Sequence, residues 1–178
     1  LAPISVSMPL LVTGVLRGGP QLLGLFGSFQ SGGVLVASLL LSAKPALLAA
    51  TGKVMILSLI ALGLFTVVIA RANTAPHLLL GGAAVGFVLV VANVASRTIW
   101  QREVPEELRG RAFTARDAVS GALRPMGQAM AGPLVDSVGP VWLIAGAGVL
   151  CAVGGLLGLG VRSIIAYPEK TKRVSATM

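Results

Sequence analysis

Apolar residues fall into six long runs along the chain, and polar or charged segments separate them. The runs cover residues 1–16, 22–43, 54–70, 78–96, 118–135 and 141–161, and the fifth predicted helix spans residues 112–136. An α-helix needs about 20 mostly apolar residues to cross a bilayer. The pattern therefore predicts an all-α membrane protein, with six transmembrane helices over residues 1–161 and a basic cytoplasmic tail over residues 162–178.

The bulk composition supports a lipid environment. Hydrophobic residues make up 55% of the chain, charged residues only 11%, and the mean hydropathy is +0.90. A soluble domain is about 25% charged. A chain with so few charges cannot cover a water-facing surface, which argues against a soluble enzyme, a disordered tail and a DNA-binding domain.

The net charge of +8 resembles that of a nucleic-acid-binding protein, but the charges are in the wrong places. Most basic residues lie in two short segments, 97–116 and 162–173, between or after apolar runs. Loops that face an anionic cytoplasmic leaflet have this arrangement. The predicted partner is therefore the lipid bilayer and not nucleic acid.

The same charges predict an orientation. If the tail is cytoplasmic, only Arg17 and Arg71 lie on the opposite side of the membrane. Eleven basic residues lie on the tail side: Lys44, Lys53, Arg97, Arg102, Arg109, Arg111, Arg116, Arg162, Lys170, Lys172 and Arg173. Cytoplasmic loops carry such an excess. We therefore expect a multi-pass protein of the plasma or inner membrane, with both ends in the cytoplasm.

Residues for catalysis or metal binding are scarce. The chain has one cysteine, Cys151, and one histidine, His77. No paired carboxylates, serine dyad or metal cluster stands out at membrane depth, as a membrane enzyme would require. The sequence predicts no enzyme activity, no metal and no cofactor.

The most informative single residue is Arg124, the basic residue inside the fifth run. Intramembrane charges usually face a bundle interior or a water-filled cavity, and transporters bind substrate at that depth. Gln128 follows one helical turn later and shares its face. We predict a substrate cavity formed by Arg124, Gln128, Asn93 and Gln30. Two alternatives stay open: Arg124 as a structural charge neutralised by carbonyls or by a missing partner, and Gln30 and Asn93 as amides that only bond neighbouring helices.

The polar segment between the fourth and fifth runs has a helix-start signal. Pro105 with Glu106 and Glu107 suits the first turn of a short helix, and Gly110 is able to end it. Arg109 and Arg111 would then lie at headgroup level. We predict a cytoplasmic gate here, with Asp117 pairing with Arg97 or Arg116 across helices. The alternative is a solvated loop that only sets topology.

A family resemblance enters at this segment. Residues 104–113, Val-Pro-Glu-Glu-Leu-Arg-Gly-Arg-Ala-Phe, resemble the loop before the eleventh helix of major facilitator superfamily transporters, above all the macrolide-efflux-like drug exporters. Pro125-Met126-Gly127 and the stretch Gly132 to Asp136 are similar to that helix. The resemblance implies the carboxyl-terminal half, helices seven to twelve, of a bacterial secondary transporter that exports small molecules, with proton-coupled antiport expected.

The resemblance also bears on helix shape and on one departure. Gly132-Pro133 is similar to the Gly-Pro pair of the family's antiporter motif, so helix bends are expected at Pro125, Gly132 and Pro133. The loop Ser42-Ala43-Lys44-Pro45-Ala46 does not match the charged loop that the family often has at this place.

The first run begins at Leu1 with no basic residue before it, unlike a signal peptide. We interpret it as a helix cut at its start, so the expected partners include a missing amino-terminal six-helix half and a small-molecule substrate. The alternative is a truncated fragment without transport, or a split half that needs a separate partner.

Glycine is abundant, with 23 residues. Small residues four apart let transmembrane helices approach closely. Gly82 with Gly86, and Gly154 with Gly158, have this spacing and predict two tight helix contacts.

Overall fold

In a computed structural model, which describes residues 7–16, 18–44 and 51–160, the described chain is 92% helix and has no strands. Its helices are α1 (residues 7–15, with a π-helical turn at Leu11–Val15), α2 (Pro20–Ala43), α3 (Thr51–Ala70), α4 (Ala75–Glu103), α5 (Glu106–Val138) and α6 (Pro140–Leu159). The predicted all-α class is confirmed. The start of the first run, most of the 44–53 loop and the tail lie outside the described residues.

Four helices, α2, α3, α4 and α6, are long and apolar enough to cross a membrane. At 1.5 Å per residue, a 20-residue helix such as α3 spans about 30 Å, the thickness of a hydrocarbon core. Proline in the first turn of α2, α4 and α6 costs no hydrogen bond there. These four helices indicate a protein embedded in a membrane.

Hydroxyl side chains in these helices bond to their own backbone. The Ser38 hydroxyl donates to the Val34 carbonyl at 2.8 Å, and the Thr66 hydroxyl donates to the Leu62 carbonyl at 2.7 Å. Ser28, Ser58 and Thr98 bond in the same way to the carbonyl four residues earlier. Because each donor is satisfied within its helix, these residues need no water.

The outer surface of the four helices is apolar. Leu39, Leu80 and Leu150 expose 69%, 64% and 75% of their area. A soluble monomer rarely exposes large contiguous apolar patches. Hydrocarbon is the solvent that such a surface requires.

The bundle is organised around α3, which packs against both α4 and α6, while α2 packs along α4. Residue Leu11 of α1 is fully buried in the core with Leu62, Leu78 and Ile144. The first run is therefore an integral part of the bundle over its described residues.

Glycines set the two closest helix crossings. A Cβ on Gly86 of α4 would overlap the Gln30 carbonyl of α2, and one on Gly82 would lie 2.7 Å from the Phe26 ring. The predicted contact at Gly82 and Gly86 is confirmed.

The second predicted glycine pair is wrong in register. Gly154 has no neighbour within 4 Å, and a Cβ on Gly158 would meet Ile56 only at 3.4 Å. The close contact of α6 with α3 instead uses Gly148, which faces the Gly63 carbonyl, and Gly155. Sequence spacing identifies small residues but does not tell which stripe of an apolar helix faces a neighbour.

The segment between the fourth and fifth runs is helical, not a loop. Helix α4 continues to Glu103 and α5 begins at Glu106, so only Val104 and Pro105 connect them. The predicted start at Pro105 is confirmed, but the predicted stop at Gly110 is wrong, because α5 runs on to Val138. A glycine inside a helix costs about 1 kcal/mol relative to alanine, which the neighbouring turns offset.

The break between the fifth and sixth runs is a tight turn at Gly139. Helix α5 ends at Val138, Gly139 adopts φ +87°, and α6 starts at Pro140. Positive φ at this ψ of 155° is accessible almost only to glycine.

Candidate functional site

Helix α5 carries most of the predicted site and differs from its neighbours. It has 33 residues, about 50 Å, which is enough to cross a bilayer. Its residues are less apolar than those of the four helices that are able to span a membrane. Among the described helices its main contact is a small one with α6, and its buried residues are Ala131 and Val135. The predicted fifth helix therefore exists, but as a semi-polar helix at the side of the bundle.

Arg124 and Gln128 lie one turn apart on this helix, and both are exposed. Because an α-helix turns 100° per residue, they share the face that is buried further on at Ala131 and Val135. Within the described residues Arg124 makes no hydrogen bond or ion pair, and its neighbours Leu123 and Met126 are 58% and 62% exposed. Residues 7–16, 18–44 and 51–160 by themselves leave this charge uncovered.

The other two predicted cavity residues lie on α2 and α4. Gln30 is half-buried, and its backbone carbonyl packs against Gly86. Asn93 is exposed and donates its amide to the Leu89 carbonyl of its own helix at 2.8 Å. The alternative in which Asn93 bonds a neighbouring helix is not seen among the described residues, because its amide hydrogen bond stays within α4. No hydrogen bond between described residues joins either amide to Arg124 or Gln128.

The predicted gate is only partly assembled. Arg97, Arg111 and Asp117 are exposed. Asp117 makes no ion pair with Arg97 or Arg116 in the described structure, so the expected pairing is absent there. Gly110 is an ordinary helical residue, and the Thr114 hydroxyl donates to its carbonyl at 2.9 Å.

Arg109 closes the connection between α4 and α5. Its guanidinium lies 3.2 Å from the Glu106 carboxylate, and its Nε donates to the Val104 carbonyl at 3.2 Å. Pro105 is the N-cap of α5 and keeps the backbone extended there. These contacts tie the first turn of α5 to the residues that connect it to α4.

Arg116 is a linking residue that was expected only as a partner of Asp117. Its guanidinium donates to the Ser96 hydroxyl at 3.3 Å and lies 5.8 Å from the centre of the Trp100 ring, within cation–π range. It therefore ties α5 to the last turns of α4. The sequence places Trp100 and Arg116 in one polar segment, which is a hint of this contact. The contact itself forms because both helices extend beyond their apolar runs.

Both prolines lie inside α5 and the helix continues through them. Pro125 leaves the Gly121 carbonyl without its usual donor, and Pro133 does the same for Ala129. Gly132 precedes Pro133 and has open space around it. The sites expected to bend therefore lack two backbone hydrogen bonds, which makes this part of α5 easier to deform.

Two cavities lie elsewhere in the bundle. An apolar groove of about 850 Å³ opens between α2 and α3 above α4, with Phe29, Phe65 and Phe87 around glycine and alanine residues. A pocket of about 380 Å³ at the α3–α4 turn includes Arg71 and His77, where the Thr74 hydroxyl bonds to His77 Nδ1 at 2.6 Å. Neither cavity is lined by a predicted site residue.

Metal-binding chemistry does not emerge from this part of the chain. Residues 7–16, 18–44 and 51–160 contain no group of three histidine, cysteine, aspartate or glutamate side chains placed to hold a metal ion. Comparison with known proteins adds no assignment: no protein-family model, no curated protein and no solved structure matches the chain.

Proposed function

We propose that this chain is the carboxyl-terminal six-helix half of a secondary transporter, in which α5 lines a polar path for a small molecule. The observation that carries the proposal is the contrast between α5 and the four apolar helices. Helix α5 is long enough to cross, yet it presents Arg124 and Gln128 on an exposed face.

The energetics of Arg124 support a cavity role. A charged side chain at the centre of a bilayer costs about 2.5–3.5 kcal/mol on insertion scales. Facing lipid, that cost would remain, whereas water in a cavity or an opposing polar surface would remove most of it. An arginine and an amide on one face are typical of substrate pathways at this depth.

The topology that we propose follows from charge. In this orientation the α4–α5 connection lies in the cytoplasm, together with the adjoining ends of the two helices, which carry Arg97, Arg102, Arg109, Arg111 and Arg116. The α3–α4 and α5–α6 turns face outward. The Arg116 contact to Trp100 would lie at the headgroup level, where tryptophan is enriched. Both termini of the proposed half would then be cytoplasmic in the plasma or inner membrane.

The family and the direction of transport rest on the sequence resemblance of residues 104–113 and 125–136. It supports a major facilitator superfamily exporter with proton coupling. Asp117 is the carboxylate nearest to Arg124 along α5, so a proton-coupling carboxylate near mid-depth would come from the amino-terminal half. The α5 prolines would let the helix deform as the halves rock.

The proposal is tested by transport in the longest reading frame that contains this chain. Cells that express it are loaded with a fluorescent anionic dye, whose charge is complementary to that of Arg124, and efflux is followed with and without a proton gradient. Arg124→Ala is compared with Arg71→Ala, a control that removes an exposed arginine outside both the proposed path and the predicted gate. We expect loss of efflux for Arg124→Ala alone; equal efflux for both variants and wild type would refute the cavity role.

The exposed middle of α5 favours a second candidate, a split half that needs a separate partner for transport. A half without its partner would insert but would not transport, because a cavity between two halves needs both. Vesicles that contain only this chain should show no dye uptake, and co-expression of an amino-terminal half should restore it. Uptake by the chain alone would contradict both the half-transporter and the split-half reading.

A further inference from the structure

We infer that the middle of α5 docks against a transmembrane helix that presents a carboxylate to Arg124. The inference rests on the proposed function, because it requires that α5 crosses the bilayer. The surface is residues 118–130, here called the uncovered segment, in which every residue except Gly127 is exposed.

Among the described residues, the charge on this segment has no counter-ion. The chain has six acidic residues, and five of them are described: Glu103, Glu106, Glu107, Asp117 and Asp136. On α5, Asp117 and Asp136 are about 10 Å and 18 Å from Arg124 along the helix axis. The three glutamates lie further toward the α4–α5 connection, and Glu169 belongs to the tail outside the described residues. No described carboxylate is placed at the depth of Arg124.

A second copy of the chain does not solve this. Two copies inserted in the same orientation are related by an axis along the membrane normal, so each residue keeps its depth. The copy would place a second Arg124 at the same depth as the first. Its described carboxylates would lie at the same depths as those of the first copy, which are too far from Arg124 to pair with it. Charge complementarity therefore points to a different helix, with its own acid at mid-depth.

The local shape suits a helix as the occupant. Gly121 lies one turn before Arg124 on the same side and has no neighbour within 4 Å, so a partner backbone has room to approach. A carboxylate accepts two hydrogen bonds from a guanidinium, and the Gln128 amide one turn later offers a further donor. Ser120, also exposed and on the same side of α5, leaves the face small around this polar centre.

The experiment uses the full 178-residue chain in lipid vesicles with two synthetic 24-residue leucine-alanine transmembrane peptides, one with a central glutamate and one with a central glutamine. Fluorescence energy transfer between labelled chain and peptide reports association. We expect the glutamate peptide to associate about tenfold more strongly than the glutamine peptide, since an interhelical polar contact in lipid contributes on the order of that factor.

Variants separate a specific contact from misfolding. Arg124→Lys should keep the preference for the glutamate peptide, Arg124→Leu should lose it, and Arg111→Leu, which removes an exposed charge near the α4–α5 connection, should leave it unchanged. Equal association of both peptides, a preference that survives Arg124→Leu, or no association with the unaltered chain would overturn the inference. Disulfide trapping of two copies through Ser120→Cys, on the Arg124 face, in a Cys151→Ser background would also overturn it.

Failure of this inference is distinguishable from failure of the proposed function. Peptide association is measured without transport, so a chain that fails to select the glutamate peptide leaves the dye-efflux result standing. A transporter that ignores Arg124→Ala but selects the glutamate peptide would instead assign Arg124 to docking alone.

Discussion

The closest approach of α3 and α6 gives a quantitative prediction for Gly148→Val. A Cβ at Gly148 would lie 2.7 Å from the Gly63 carbonyl oxygen and 3.1 Å from the Val67 nitrogen, inside the 3.4 Å at which ordinary contact begins. A methyl of the Val67 side chain would also lie 2.9 Å away, but the other two obstacles are backbone atoms of α3, so rotation of that side chain alone does not relieve the overlap. The two helices must move apart by about 1 Å, which forfeits a quarter to a half of each affected dispersion contact.

The expected cost is about 1–3 kcal/mol, the usual range for overpacking. For a chain of this length that corresponds to a fall in the unfolding midpoint of about 2–4 °C per kcal/mol. The chain supplies its own reporter, because its single cysteine, Cys151, is half-buried at this interface with its thiol 3.5 Å from the Leu59 carbonyl. A maleimide that fluoresces on reaction therefore follows separation of the helices during heating in detergent.

Gly154→Val is the matched control. It makes the same substitution in the same helix, six residues further on, where no atom lies within 4 Å. We expect Cys151 in Gly148→Val to react at a lower temperature than in wild type, with Gly154→Val close to wild type. Identical midpoints for the two variants would refute the assignment of Gly148 to the interface.

Three further substitutions test other parts of the structure. Gly139→Ala should destabilise the chain by about 1–3 kcal/mol although the space around it is open, because φ is +87° there; a midpoint equal to that of Gly146→Ala, another glycine with open space, would contradict this. Trp100→Leu should remove a cation–π contact of about 0.5–1 kcal/mol and widen the distance between spin labels on the ends of α4 and α5, whereas an unchanged distance would mean that Arg116 does not hold the hairpin. Pro133→Ala should restore a donor to the Ala129 carbonyl and slow hydrogen exchange in this part of α5, and unaltered exchange would show that the proline does not loosen the helix.

The sequence predicts what depends on local composition. Long uncharged runs force helices in lipid, so the four spans and the start of α5 after Pro105 could be predicted to within about three residues, apart from the end of α4. The polar segment could not, because hydropathy reports where apolar residues stop and not where helical hydrogen bonds stop. Glu103 and Glu106 are both helical, and the connection shrinks to two residues.

The candidate site was harder to predict because it depends on contacts between helices. Gly82 and Gly154 have the same spacing to their partner glycines, yet only the first pair lies in an interface. Arg124 was identifiable from its cost in lipid, but its lack of a counter-ion in the described chain emerges only when α5 is placed at the side of the bundle. The contacts of Arg116 with Ser96 and Trp100 could not be predicted, because the hydropathy pattern places the end of α4 before Trp100.

The most direct test of a membrane bundle with a cytoplasmic α4–α5 connection is labelling of single cysteines in intact cells. In a Cys151→Ser background, Glu107→Cys marks that connection, and Asn73→Cys and Ser137→Cys mark the two opposite turns. With a membrane-impermeant maleimide we expect labelling at positions 73 and 137 in intact cells, and at 107 only after the cells are permeabilised. Labelling of all three positions in intact cells, or the reverse pattern, would contradict the topology on which the proposed function depends.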